Sequence, residues 1–483
     1  MKSDFKNKNA ESKKDVSADR HVKRNISNSG EDLGKISKER EKALDIFMKI
    51  ENEKAYSNIV FDRELNKTLL NENHDDFGFN VVVKNQSDVE QINFSFVRNL
   101  VLGTLENKLL LDYYIDRFLK QKPKKKSEDV RNILRLGIYQ IMFMQSGKDY
   151  AICNDMVSIT KKRLRGYEGL VNGILRNVVR SKDTLVPPEG RDLESISIKY
   201  SIDESIVNLW IDNYGLEKTV EICDKSCQRA PLFARVNINI TGRDETISLL
   251  ESQGISSFGI EESDRGILIN QTSQSSAVTG KAFQDGLISF QDISSIIAVD
   301  KLDISHNDKI LDMCAAPGGK TTSAAELAND GKVIAWDVYE HKINLIHKYA
   351  QRCKLSNIET YMHSAIEFKT EYEEFFDKVI LDPPCSGLGV MRRRPEIRYK
   401  SMKDFDLPNQ QLSMLKLAAR YVRPKGSILY STCTVNPEEN DGLIKKFMNL
   451  GYSEDFDILY NRQIFTGDFG ADGFYICILK KRG

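Results

Sequence analysis

The sequence predicts an α/β protein whose carboxyl-terminal part is a Rossmann-like domain, preceded by an all-helical domain and a small α/β module. Three observations predict it. Apolar residues recur at helical spacing from about Glu39 to Arg180, as in Leu44, Phe47 and Met48 and again in Ile133, Leu134, Ile138, Ile141 and Met142. A Pro-Pro-Glu-Gly stretch at Pro187 to Gly190 then breaks the helical pattern. After about Lys281, short apolar strands alternate with helical segments, the signature of a mostly parallel sheet covered on both faces.

Each element can be justified in order. Residues 1–36 are polar and nearly free of large apolar side chains, so they cannot bury enough surface to order themselves and are expected to form a disordered tail. Residues 37–182 form the helical domain, with the polar stretch Asn71 to Glu90 as an exposed loop between helices. Residues 183–280 hold a linker and the small module: a helix around Val207 to Cys223, the alternating run Leu232 to Ile240, and a polar helix from Asp244 to Ser252. Residues 281–483 form the Rossmann-like domain, with strands at Lys309 to Met313, Val333 to Asp337, Val379 to Asp382 and Ser427 to Ser431.

Bulk composition narrows the function classes. With 483 residues the chain exceeds what one compact core requires. Lysine plus arginine and aspartate plus glutamate both number 70, so any nucleic-acid-binding face must be local rather than a matter of net charge. The eight cysteines lack the paired spacing of a disulfide framework and read as reduced thiols. Neither a signal peptide nor a transmembrane stretch is evident, and a cytoplasmic location is expected. Cys223 and Cys227 are the only tight cysteine pair; without a second pair or a nearby histidine they read as one helix face, and no metal is expected.

The run from Lys309 to Thr322 is a strand entering a small-residue loop and then a helix. Ala315, Ala316, Gly318 and Gly319 present little or no side chain, so backbone N–H groups can approach a polar ligand. A phosphate-binding P-loop is the first rival, because the run ends in Gly-Lys-Thr. That pattern needs a glycine where Cys314 stands, and Pro317 removes an N–H from the cradle. Asp337, ending the next strand, suits the two hydroxyls of a ribose; its alternative use is as a cap for the helix that follows.

Two further strands end in cysteines, in Asp382-Pro-Pro-Cys-Ser-Gly-Leu-Gly389 and in Ser431-Thr-Cys-Thr-Val-Asn-Pro-Glu-Glu-Asn440. Ligands lie outside the carboxyl ends of strands in open parallel sheets, so Cys385 and Cys433 should face one crevice. A helix start at Pro437 would help lower the Cys433 thiol's pKa and make it a nucleophile. Carbon 5 of a pyrimidine gains the electron density to accept a methyl when a thiolate adds at carbon 6, which suits Cys433. Asp382 can then hold or donate a proton near N3, and Cys385 can assist loss of the carbon 5 proton and release.

These segments resemble the RNA cytosine-C5 methyltransferases that carry two active-site cysteines, one in a Pro-Cys loop and the nucleophile in a Thr-Cys loop. The resemblance extends to the helical block, where Val130 to Gln140 and Leu170 to Arg176 look like the RNA-binding antitermination factor NusB. The combination is similar to the Sun/RsmB family, and it covers about residues 38–483. It implies a Rossmann-like methyltransferase domain, S-adenosyl-L-methionine as cofactor, and methylation of cytosine in 16S ribosomal RNA of the small subunit. It also implies that Cys314, Ala315, Ala316, Pro317, Gly318, Gly319, Lys320, Asp337, Ser364 and Asp382 hold the methyl donor.

Two residues depart from the family pattern. Asp382-Pro-Pro-Cys385 stands where members generally have Asp-Ala-Pro-Cys, and Ser364 stands where an acidic residue usually follows the third strand. Ser364 is expected to weaken donor binding while still offering a hydroxyl. It is also the one feature favouring a competing class, a non-catalytic RNA-binding protein.

Extruding a base costs a few kcal/mol that phosphate contacts must offset. Arg392, Arg393, Arg394 and Arg398 directly follow the Cys385 loop and are expected at the crevice rim; Arg235 and Asn237 of the small module are also expected to contact RNA. Lys124 to Lys126, and Lys161 to Arg163 with Arg165, are further basic clusters whose alternative reading is a solvated face. The aromatics of Gln463-Ile-Phe465 and Asp472-Gly-Phe-Tyr475 read as core. A monomer that acts on ribosomal RNA, without DNA or membrane partners, is expected.

Overall fold

The structure, a computed structural model, describes residues 37–53, 56–68, 92–119, 127–144, 147–400 and 407–483. The expected tail (1–36), the Asn71 to Glu90 loop and the Lys124 to Lys126 cluster lie outside the described residues. The first block is helical, with helices Lys38–Glu53, Ser57–Thr68, Phe94–Glu106, Lys108–Asp116, Ser127–Phe143, Asp149–Arg163 and Glu168–Arg180. Their apolar stripes meet in one core that includes Phe47, Leu100, Tyr114, Leu134, Ile138, Met156 and Leu175. Among the described residues, no helix is long and apolar enough to cross a membrane.

The small module follows helices Leu193–Tyr200 and Glu204–Ser226. Its strands are β1 (Leu232–Val236), β2 (Ser257–Ile260), β3 (Ser263–Ile269) and β4 (Ile288–Phe290), in the order β2-β3-β1-β4 and antiparallel throughout. The run to Ile240 is shorter as a strand than its alternation suggested: after Val236, Asn237 turns the chain by accepting the Asn239 N–H and its carbonyl takes the Ile240 N–H. β4 lies past residue 280, so the small sheet is completed from beyond the boundary expected there. Register explains this, because Ile288 to Phe290 fill the β1 edge that β3 leaves open.

The second sheet contains β5 (Lys309–Asp312), β6 (Lys332–Asp337), β7 (Ile358–Met362), β8 (Phe376–Leu381), β9 (Val422–Thr432), β10 (Phe456–Ile464) and β11 (Phe474–Lys481). Its order is β10-β11-β9-β8-β5-β6-β7, parallel from β9 to β7 and antiparallel at β10 and β11. Interior strands read as continuous apolar runs because helices cover both faces. The connection order reverses between β5 and β8, which opens a crevice at their carboxyl ends. Phe474 and Tyr475 are buried in β11, while Phe465 packs edge-on against Tyr214, so these aromatics belong to the core.

Candidate active site

The loop after β5 is stretched between neighbouring strands. The Met313 N–H donates to the Ile380 carbonyl of β8, and the Ala315 N–H donates to the Trp336 carbonyl of β6. Gly318 sits at φ +108°, and a Cβ there would lie 3.3 Å from the Ile346 backbone, so a side chain is excluded. The helix Gly319–Leu327 begins at once, and no side chain caps its first N–H groups.

Asp337 ends β6 almost fully buried, accepting the Val338 N–H at 2.8 Å with Lys342 at 3.4 Å. The next helix starts at Glu340 behind Tyr339 without a side-chain cap, so Asp337 is not spent as a cap. Asp312, at the end of β5, accepts the Thr321 hydroxyl through Oδ2, while its buried Oδ1 has no hydrogen-bond partner among the described residues. Burial pushes its carboxyl up to about 7. Small loop residues, an uncapped helix start and a carboxylate on the neighbouring strand tip are a donor set that fits a nucleoside cofactor with a charged tail. Ser364 lies in the turn after β7, half-buried, with its carbonyl accepting the Glu367 N–H.

Strands β8 and β9 bring the two cysteines together. Cys385 Sγ and Cys433 Sγ are 3.2 Å apart, although 48 residues separate them in sequence. The Gly389 N–H donates to the Cys433 carbonyl, and Gly389 packs so tightly that a Cβ would meet the Gly473 carbonyl oxygen at 1.8 Å. Beside them, Lys320 Nζ pairs with Asp382 Oδ2 at 2.8 Å, and the Ser431 hydroxyl donates to Asp382 Oδ1 at 2.9 Å. The lysine amine also lies 5.1 Å from the Phe474 ring centre.

The two sulfurs titrate in opposite directions. The hydrogen bond from the Cys385 thiol lowers the Cys433 pKa against the opposing effect of burial, and the positive charges of Arg394 and Lys320 help. The same hydrogen bond, followed by burial and by the Cys433 and Glu439 charges, holds Cys385 well above the ordinary thiol range. The expected cause was a helix start at Pro437, yet residues 437–440 form a turn and the helix begins at Asp441. A neighbouring thiol, not a helix N-terminus, is therefore what lowers the Cys433 pKa.

Most of the arginines expected at RNA are structural. Arg235 and Glu326 form an ion pair in which neither side chain exposes any surface, and Arg235 also holds the Gly319 carbonyl, the Thr322 hydroxyl and Gln291. It pins the donor helix to the small module and is not available to a phosphate. Asn237 is buried and donates to the Gly286 and Cys353 carbonyls. Arg392 is sequestered by Asp472 and the Gly470 and Ala471 carbonyls, and Arg398 by the Tyr200 and Ser226 carbonyls. Desolvating a guanidinium without such partners would be costly, so these four are corrected to structural roles.

Arg393 is partly exposed but is held by Asp472 and Asp292. Arg394 alone of the group is both exposed and close enough to Cys433 for its charge to act there; its guanidinium lies 5.2 Å from the ring centre of Tyr56 in the helical domain. Lys162 and Arg163 pair with Glu41 and Asp45 on the first helix, which favours their reading as a solvated face. Cys223 is buried and Cys227 exposed, and the described residues hold no group of three or more His, Cys, Asp or Glu placed to bind a metal.

Sequence reasoning missed Glu439, Ser431 and Gln411, which surround the cysteine loops. Ser431 and Glu439 carried only the signal of flanking Cys433, and Gln411 carried none, being 27 positions from the Pro384 whose carbonyl it binds.

The chain is similar to known proteins along most of its length. Residues 299–479 match the family described as 16S rRNA methyltransferase RsmB/F, residues 37–180 the NusB family, and residues 204–275 the RsmF/B-like ferredoxin-like domain. A relative in Bacillus subtilis (strain 168), "Probable ribosomal RNA small subunit methyltransferase B", is 32% identical over 470 residues, covering 92% of this chain and 99% of its own. The "Ribosomal RNA small subunit methyltransferase B" of Proteus mirabilis (strain HI4320) is 27% identical, covering 83% of this chain and 94% of its own. The crystal structure of PH0851 aligns with a TM-score of 0.71 at 23% identity over 92% of this chain and 98% of that one. The structure of NSun6 from Pyrococcus horikoshii with SFG aligns with a TM-score of 0.51 at 19% identity, covering 58% of this chain and 98% of that one. These two likenesses concern the fold.

Proposed function

The chain belongs to the ribosomal RNA small subunit methyltransferase B family, and from that premise we propose that it methylates carbon 5 of a cytosine in 16S ribosomal RNA through a covalent bond to Cys433. The observation that carries this reading is the pair of sulfurs 3.2 Å apart at the ends of adjacent strands, beside the Lys320–Asp382 pair. Chemistry at an exocyclic amine would need neither thiol; carbon 5 chemistry uses both.

S-adenosylmethionine, when bound, supplies a methyl on a positively charged sulfur. The loop Cys314 to Lys320 would hold its charged tail, Asp337 its ribose hydroxyls, and Ser364 and Asp382 the remaining polar edge. Cys433 adds its thiolate electron pair to carbon 6, and the carbon 5–carbon 6 π pair moves into the ring. Charge reaching N3 is met by a proton from the Lys320–Asp382 pair. Carbon 5 would then take the methyl, the electron pair of the broken S–CH3 bond staying on the donor sulfur, and the N3 proton returns to the Lys320–Asp382 pair. For release, the Cys385 proton passes to the Cys433 sulfur as the S–C6 bond breaks, and the carbon 5 proton passes to the Cys385 sulfur as the ring double bond re-forms.

Transfer of labelled methyl to undermethylated 16S ribosomal RNA, followed by nucleoside analysis, tests the reading. Label in 5-methylcytidine is expected; label in any other nucleoside, or no transfer at saturating donor, overturns it.

Residues 37–182 and the small module would supply RNA-binding surface around the crevice, with Arg394 reaching a phosphate at its rim. Two variants should separate the arginine roles. Arg394→Ala should leave the urea-melt stability within about 1 kcal/mol and reduce the slope of log affinity against log salt by about one. Arg235→Ala should instead cost roughly 3–5 kcal/mol of stability, because it leaves Glu326 buried with a weakened partner set, while the folded fraction binds RNA with an unchanged salt slope.

A further inference from the structure

The residue after Cys385 and the turn after Cys433 are tied to one carboxylate. Glu439 is 1% exposed. Its Oε2 accepts the Ser386 N–H and the Gln411 amide, both at 2.9 Å, and its Oε1 accepts the Asn436 amide at 3.0 Å. Gln411 also donates to the Pro384 carbonyl, and the Ser386 hydroxyl lies 2.7 Å from that of Thr434. The Glu439 carbonyl accepts the Tyr430 hydroxyl at 2.7 Å, which fixes the acid against β9. One side chain therefore joins Ser386, and Pro384 through Gln411, on one loop to Asn436 on the other.

Both loops lie outside regular secondary structure where they carry their sulfurs. Gly387 sits at φ +75° within the Cys385 loop, and the Cys433 loop leaves the ladder of β9 immediately after Thr432. A buried carboxylate with three N–H donors is a stiff joint, because moving either loop strands a charge away from water.

We propose that Glu439 is a positioning residue that holds the Cys385 sulfur within hydrogen-bonding distance of Cys433, and that it is needed for release of the methylated RNA. The proposal rests on the covalent reading above. The Glu439 charge supports it, since it favours the protonated form of Cys385 and so keeps the proton on the sulfur that must give it to the departing thiolate. The charged and titratable groups facing the two sulfurs are Lys320, Asp382, Arg394, Tyr430 and Glu439.

Glu439→Gln keeps the volume but turns one acceptor oxygen into a donor facing an N–H. Loosening a reacting group by an ångström costs about a hundred-fold in rate. The expected result is a kcat lowered about ten- to a hundred-fold, an RNA KM within about two-fold, and more enzyme trapped as a covalent RNA complex on a denaturing gel. A merely structural role would lower activity and adduct together, in proportion to the folded fraction, and would overturn the proposal. Asn436→Ala, which removes the arm to the Cys433 loop together with the Asn436 oxygen that accepts the Glu438 N–H, should give the same signature more weakly; if Glu439→Gln does not fold, a wild-type adduct level in Asn436→Ala overturns the proposal. Cys385→Ala run in parallel separates the two ideas. No adduct together with lost turnover in that variant refutes the covalent reading itself, whereas adduct there with normal release in Glu439→Gln refutes only the role of Glu439.

Discussion

Cys433→Ala is expected to lose methyl transfer by at least about a thousand-fold, the scale seen when a covalent nucleophile is removed from an otherwise intact site. The variant should also form no covalent complex with RNA carrying 5-fluorocytosine, where the wild type is trapped because fluorine cannot leave carbon 5 as a proton does. Donor and RNA binding should survive, since the loop Cys314 to Lys320, Asp337 and Arg394 are untouched. In the wild type, alkylation of Cys433 should rise with pH through an apparent pKa below the ordinary thiol range, because the lowered pKa leaves thiolate present at lower pH. A stable adduct in Cys433→Ala would place the nucleophile elsewhere.

Cys385→Ala should fail differently. The carbon 5 proton then has no sulfur acceptor and the departing thiolate no donor, so kcat should fall by about a hundred- to ten-thousand-fold, the range of general acid–base catalysis. Because addition and methyl transfer precede that step, the enzyme should accumulate as a protein–RNA complex on a denaturing gel. Losing the hydrogen bond that lowers the Cys433 pKa should also move its alkylation profile to higher pH. Normal turnover without accumulated adduct would remove Cys385 from the mechanism. Read together, the two variants separate forming the S–C6 bond from breaking it, which neither does alone.

Much of the fold was legible because its signals are local. The helical spacing of Ile133, Leu134, Ile138 and Ile141 and the apolar runs of β5, β6, β8 and β9 each state a periodicity within a single segment. The edge strands were harder to read: β7 alternates only weakly in burial, and β10 is largely exposed, so neither shows a continuous apolar run. The donor loop was legible for a further reason. Its function depends on what its residues lack, namely side chains at Gly318 and Gly319 and an N–H at Pro317, and these absences are properties of residue type.

The basic residues show the opposite case. Arg392, Arg393 and Arg394 are consecutive, yet one is sequestered by Asp472, one is shared between Asp472 and Asp292, and one faces outward. A guanidinium's fate depends on whether a carboxylate from elsewhere in the chain can repay its desolvation, as Glu326 does for Arg235 from 91 positions away. The sequence by itself determined the strand ends, the glycine loop and the presence of two cysteines at the mouth of one sheet. Only the tertiary structure decided that the two sulfurs lie 3.2 Å apart and which arginine faces outward, because both outcomes are set by partners within a few ångströms in space that no spacing along the chain encodes.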